Sequence, residues 1–238
     1  MKVIAHRGAS GHEPENTLLA IETAMKMHVD AIEIDVHLAG GELVVIHDRW
    51  LEKTTNGQGR VGDMTLEELK KLDAGKGQKI PTLWEVLELI GGRCDLNIEL
   101  KSTRTVEPTL ELLYCAIDEL GFNQLQFIIS SFNHHLLKQI KKIDKTWRTG
   151  ALCASLPLDY ARFAKRLHAY SVHIDVDFVD KAFVDDAHKR GLKVFVYTVD
   201  QEADIDELMA MSIDGIFTNY PTRSMVRIAH LQTRLTTI

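Results

Sequence analysis

A chain of 238 residues, 45% hydrophobic and 26% charged, has the makeup of a soluble globular protein with room for one large core, which excludes disorder and fibrous repeats. Its formal net charge of −6 offers no basic excess for a nucleic-acid partner, so an anionic ligand would need local positive charge from a metal or an arginine. Three scattered cysteines without a CxxC pair argue against a disulfide framework, and no apolar run nears the ~18 residues that span a bilayer.

In chain order, the first strand-like run is "KVIAH" at 2–6, which leaves no space for the charged head and apolar stretch of a leader. A cytoplasmic protein without stable membrane association is expected, and its thiols, Cys94, Cys115 and Cys153, are expected to be reduced and buried. "PENTLLAIETAMKM" then reads as a helix with Asn16 as N-cap and with Leu18, Ile21 and Met25 along one face. "AIEIDVHL" at 31–38 is the second strand.

Residues 37–82 break the rhythm with an extra strand, "ELVVIHD", a Gly- and Thr-containing loop, and a short capped helix, "TLEELKKL". Such an excursion exceeds a normal βα connection and is predicted to be an insertion contributing to a pocket over the C-terminal face of the sheet. "TLWEVLELIGG" follows, with Thr82 and Glu85 in capping-box spacing. The later strand-like runs are "DLNIELK", "QFIISS", "RTGALC", "YSVHIDV", "KVFVYTV" and "DGIFTNY", and a helix is stopped at Gly191. Eight strands alternating with helices predict a (β/α)8 TIM barrel, with a doubly wound open sheet as the alternative. The barrel is expected to be one domain over 1–238 with the insertion at about 37–82.

Strand parity selects candidate residues. In "AIEIDVHL" the set Ile32, Ile34 and Val36 shares one face, and Glu33, Asp35 and His37 share the other. In "LNIELK" the split is Leu96, Ile98 and Leu100 against Asn97, Glu99 and Lys101. If the apolar sets pack under helices, Glu33, Asp35 and Glu99 point toward the barrel axis, where unpaired carboxylates are too costly to persist. Oxygen ligands alone favour one hard divalent cation, Mg²⁺ or Ca²⁺; the bland reading is a salt-bridge network with Arg7 and Lys101.

His6 and His47 each end a strand-like run, and two imidazoles beside a metal suit a general acid and a general base. Arg7 offers a fork matched to phosphate oxygens, or else a partner for Glu15 or Asp48. His134 and His135 read as solvated first-turn residues, and His173 as a core or pocket-lining histidine. The Lys-rich "LKQIKKIDK" reads as a helix with a solvated face.

Together "AHRGASGHEPENT", "AIEIDVHL", "LVVIHD", "IPTLWEVL", "LNIELK", "GLKVFVYTVD" and "DGIFTNYP" resemble the glycerophosphodiester phosphodiesterase family in order, from residue 3 to 221. The resemblance implies a barrel with a small inserted region and metal-dependent hydrolysis of glycerophosphodiesters to an alcohol and sn-glycerol 3-phosphate, in lipid and glycerol metabolism. It implies that Glu33, Asp35 and Glu99 hold the metal, that His6 and His47 are the acid/base pair, and that Arg7 and Lys101 contact the phosphate. The chain departs from the family's habit at "LAGGELVVIHD", where Lys-Asp-Gly often precedes the strand. It also carries Tyr197 where tryptophan is common and Asn219 where aspartate is frequent. Tyr197 can pack on the glycerol moiety or simply fill the barrel mouth.

A lysophospholipid phosphodiesterase would need a wider apolar mouth, a barrel sugar isomerase would have no use for "HRG", and a dead binding module would have lost a ligand or histidine. Head-group preference, oligomeric state (a homodimer included) and the division of labour between the histidines are open at this level.

Overall fold

The computed structural model describes residues 1–235, so the last three residues of the expected 1–238 domain lie outside the described residues. Its strands are β1 (Lys2–Ala5), β2 (Ala31–Ala39), β3 (Glu42–Val45), β4 (Asp95–Leu100), β5 (Phe127–Ser131), β6 (Thr149–Cys153), β7 (Ser171–Asp175), β8 (Lys193–Tyr197) and β9 (Gly215–Thr218). Apart from β3, every neighbouring pair is parallel, and β1 pairs with both β2 and β9. The eight strands therefore close on themselves as a (β/α)8 barrel, and the open-sheet alternative is set aside. All eight strand-like runs of the sequence are barrel strands.

Closure follows from composition. Each strand is buried on both faces, as parallel strands flanked by helices must be, so apolar runs are long and polar residues within them are exceptional. Ile32, Ile34, Val36, Leu96, Ile98 and Leu100 join the large core under the helices, where each buried aliphatic contributes on the order of 1.5–3 kcal/mol. Ile4, Ala31, Phe195 and Phe217 form a separate apolar layer inside the barrel. Above it the inward positions turn polar: Glu33, Asp35, Asn97, Ser130 and His173 are all buried.

The helices are α1 (Leu18–Lys26), α2 (Leu66–Lys71), α3 (Leu83–Ile90), α4 (Val106–Glu119), α5 (His134–Ile143), α6 (Arg162–Arg166), α7 (Lys181–Lys189), α8 (Glu202–Met211) and α9 (Pro221–Leu235). Helices α2 and α3 begin at the expected capping boxes, Thr65 with Glu68 and Thr82 with Glu85. Helix α1 corrects the sequence reading. Its N-cap is Thr17, whose hydroxyl accepts from Ala20 N at 3.2 Å, while Asn16 has a left-handed backbone (φ 57) and turns inward. None of the described helices is long and apolar enough to cross a membrane.

Strand β3 turns back antiparallel on β2 through Gly40 and Gly41, both at positive φ (58 and 87), the conformation a two-residue primed turn demands. Beyond it, Ala39, Val44, Ile46, Leu51, Val61, Leu69 and Ile80 form a second small core, which gives the inserted segment its own packing. Cys94 and Cys153 are buried as expected, but Cys115 is exposed, because it lies on the solvent side of α4; all three are free.

Inside the barrel Gly150 faces His173. A Cβ at Gly150 would sit 2.4 Å from His173 Cε1 and Nε2, and the ring is boxed by Phe195 and Phe217 at centroid distances of 5.4 and 5.1 Å. Gly150→Ala is therefore expected to destabilise the protein by about 1–3 kcal/mol in a thermal or denaturant melt, and an unchanged midpoint would show that the ring has room to move.

Candidate active site

Pairing register assembles the site. Strands β2 and β4 align Asp35 with Glu99 and Glu33 with Asn97, so the inward carboxylates of both strands share one level of the barrel. One oxygen from each of Glu33, Asp35 and Glu99 lies within 4.8 Å of the others, and all three residues are buried. A cavity of about 440 Å³ opens over them, lined by His6, Arg7, Glu33, His47, Glu99, Lys101, Tyr197 and others.

Each carboxylate is gripped differently. Glu33 Oε2 accepts from Arg7 N at 2.9 Å, an approach made possible by the left-handed backbone of Arg7 (φ 56). Asp35 Oδ2 accepts from Asn16 Nδ2 at 2.9 Å, and Asp35 N donates to Asn16 Oδ1 at 3.2 Å. Lys101 Nζ donates to Glu99 Oε1 at 2.8 Å and lies 3.5 Å from Asp35 Oδ1. The Arg7 guanidinium reaches Glu15 Oε1 at 2.8 Å through Nη1, with Nε 3.4 Å from Asp35 Oδ2. The pairing of Arg7 with Glu15 weighed from sequence is thus present, alongside Asp35 rather than Asp48.

Two cations do not balance this cluster. Burial, then repulsion from Asp35 and Glu99, drives the Glu33 carboxyl well above its usual range. Burial and the Asp35 charge push Glu99 up to about 7. Asp35 moves the other way: burial would raise it, but Lys101 and Arg7 together hold it below its ordinary value. A buried group of oxygen donors whose carboxyls are pushed upward for want of positive charge fits a hard divalent cation.

The two histidines differ. His6 is pushed down to about 4, by burial first and the adjacent Arg7 second, and its Nδ1 lies 2.8 Å from Asn219 Oδ1. His47 is also lowered, burial being the main cause, but its Nδ1 has no hydrogen-bond partner, and Asp48 Oδ1 is 3.5 Å away. Of the inserted segment, only His47 is among the residues lining the cavity; the expected pocket wall from 37–82 reduces to this one side chain. His37 instead turns its Nε2 to the His47 carbonyl at 3.0 Å, bracing the strand end.

Tyr197 lines the cavity with its hydroxyl donating to Cys153 O at 3.0 Å and its ring edge-on to Phe132 at 5.9 Å. His173 also lines it, fully buried, with Nε2 2.8 Å from Ser171 Oγ, and burial lowers it to about 3. His134 corrects the sequence reading: it stacks on Phe163 at 5.2 Å with Nε2 2.9 Å from Leu152 O, and is not a free surface group. Sequence reasoning missed Asn16 as the clamp on Asp35, and Asn97, Ser130 and Asp175 as lining residues. The inward parity of Asn97 and the buried Asn of "PENT" were the available signals.

Comparison with known proteins agrees in scope. The sequence model of the glycerophosphoryl diester phosphodiesterase family matches residues 6–223. A glycerophosphodiester phosphodiesterase of Caldanaerobacter subterraneus subsp. tengcongensis is 44% identical over 229 residues, covering 92% of this chain and 94% of that one. One from Bacillus subtilis is 36% identical, covering 92% and 83%. Among solved structures, an Oleispira antarctica phosphodiesterase in complex with the product sn-glycerol-3-phosphate superposes with a TM-score of 0.87 at 33% identity, over 96% of this chain and 97% of that one.

Protons would compete with a cation for this cluster. With its folded value near 7 against an ordinary 4.5, Glu99 contributes stability that is fully present below pH 4.5 and lost as pH rises through 7 in the cation-free protein. The rise in melting temperature on adding millimolar Mg²⁺ or Ca²⁺ is therefore expected to be larger at about pH 8 than at about pH 5. An increment independent of pH would mean that the cation binds elsewhere.

Proposed function

The chain belongs to the glycerophosphoryl diester phosphodiesterase family, and from that premise we propose that it hydrolyses small glycerophosphodiesters to an alcohol and sn-glycerol 3-phosphate, using one Mg²⁺ or Ca²⁺ held by Glu33, Asp35 and Glu99. The observation that carries the reading is the convergence of three buried carboxylates, two cationic side chains and two histidines on one cavity.

A divalent cation bound there supplies Lewis-acid charge against the negative charge that gathers on the phosphoryl oxygens. Arg7 and Lys101 orient the phosphate. Glu15 takes Nη1 of Arg7 and Asp35 lies beside Nε, so Nη2 is available for a phosphate oxygen. Lys101, held above its ordinary value because Asp35 and Glu99 outweigh its burial, stays charged while doing so. Glu15 and Asn16 act behind the phosphate, fixing the guanidinium and the Asp35 carboxylate so that neither reorganises during reaction.

His6 and His47 divide the proton work: one takes the proton of the nucleophile, the other gives a proton to the departing alkoxide. Both are depressed by burial, so in the resting protein both are neutral near pH 7; one is ready to act as base, and the one that acts as acid must first take up a proton, which the negative charge of the bound phosphate favours. Tyr197 and Phe132, in edge-to-face contact, give the cavity an aromatic surface suited to the carbon face of glycerol. A cytoplasmic setting belongs to the same reading.

Glu33→Gln tests the site. Removing one of three crowded carboxyls should abolish cation-dependent turnover while leaving the cation-free melting temperature unchanged or higher, because an amide never has to bear the buried charge that Asp35 and Glu99 oppose and its oxygen can still accept from Arg7 N. Near-normal turnover in that variant would defeat the assignment. Either histidine changed to alanine should lower kcat by about 10²–10⁴-fold. Hydrolysis in heavy-oxygen water separates the chemical routes: label in glycerol 3-phosphate is expected for either, but a labelled-free cyclic phosphate accumulating first would identify the vicinal glycerol hydroxyl as the nucleophile.

A further inference from the structure

The surroundings of His6 specify more than its location. Asn219 stands between His6 and Asp200: its Oδ1 is 2.8 Å from His6 Nδ1, and its Nδ2 is 2.6 Å from Asp200 Oδ2. A carboxylate oxygen at that distance accepts, so the amide must present nitrogen to Asp200 and oxygen to His6. The remaining contacts of Asp200 agree, since Oδ1 accepts from Asn219 N at 2.8 Å and from Thr218 Oγ1 at 3.1 Å. Thr218 can spend its proton this way because its oxygen already accepts from Tyr220 N and Ser224 Oγ, each at 3.1 Å. Ser10 Oγ, 2.7 Å from both His6 O and Asn219 Oδ1, closes the arrangement from the other side.

An amide oxygen opposite Nδ1 requires that Nδ1 carry the proton. His6 lines the cavity, and its Nε2 has no hydrogen-bond partner among the described residues. We infer that Asn219, oriented by Asp200, is a positioning residue that holds His6 as the Nδ1–H tautomer and leaves the Nε2 lone pair for the substrate. The inference rests on the proposed acid/base use of His6 and deepens it. Whichever direction the proton travels, it crosses at Nε2, and the imidazolium form is stabilised through Asn219 by the Asp200 charge. His47 has no counterpart of this chain, because its Nδ1 is unpartnered. The group against Nδ1 is thus an amide, with the carboxylate one residue further back in the relay.

The test combines a spectroscopic and a kinetic reading. Nitrogen-15 NMR of the resting protein, with the His6 signals identified from their loss in His6→Gln, is expected to report protonated Nδ1 and unprotonated Nε2. Asn219→Leu and Asp200→Asn should each lose the single tautomer and lower kcat by about 10- to 100-fold, with KM changed by less than about twofold. The double substitution Asn219→Asp with Asp200→Asn exchanges carboxylate and amide while keeping every donor opposite an acceptor, and it should recover most of both. A protonated Nε2 in the unaltered protein would overturn the inference. So would a double variant no better than Asp200→Asn, since a purely structural loop contact has no reason to be rescued by reversal. Should the unaltered protein show no turnover of glycerophosphodiesters, the functional reading alone fails, because the tautomer is read without substrate.

Discussion

Three carboxylates confined to one level of a barrel interior are the constraint around which the rest is arranged. Desolvation and mutual repulsion work against Glu33, Asp35 and Glu99 together, and the protein answers with Arg7, Lys101, a backbone N–H and the Asn16 amide. These partners come from the loop between β1 and α1 and from the residue that follows β4. Neutralising the cluster therefore ties together strands adjacent in the barrel but far apart in the chain. The residual imbalance, visible as two carboxyls driven above their ordinary range, is what suits the cluster to a divalent cation.

Much of this was legible in the sequence because the relevant signals are local and periodic. A strand buried on both faces has no use for "EID" unless the acids meet something inside, and period two says which residues turn inward. Capping boxes are read over three residues, so Thr65 and Thr82 were identified as helix starts. What escaped depends on contacts between distant segments. Asn16 and Thr17 are both good caps by residue type, and only Asp35, nineteen residues on, decides that Asn16 turns inward and Thr17 caps. His134 looked solvated because nothing near it in the sequence announces Phe163 or the Leu152 carbonyl. The acids were found by parity, their supports only in three dimensions.

The inward layers also explain how an enzyme site and a stable barrel coexist. Ile4, Ala31, Phe195 and Phe217 fill the lower interior, and His173 forms a neutral transition between them and the charged level above. Because its ring is fully buried and bonded only to Ser171, this histidine adds polarity without adding charge. Charge is thereby kept at the end of the strands, where loops can reach it.

The inserted segment has a different relation to the barrel. It has its own small core, its strand β3 pairs along β2, and beyond that it is tied to the rest of the molecule through Ile46 N to Asp35 O, the Lys70–Glu85 ion pair and Lys76 Nζ to Glu13 Oε2 at 2.7 Å. Its single contribution to the cavity is His47. Strand β3 is anchored, since its Leu43 and Val45 join the large core under the helices, but residues 46–80 beyond it pack mainly on their own small core and can open while the barrel stays closed. In the proposed chemistry such an opening would withdraw one histidine of the pair and leave the carboxylate cluster intact. Catalytic competence would then have a lower melting point than the molecule that carries it.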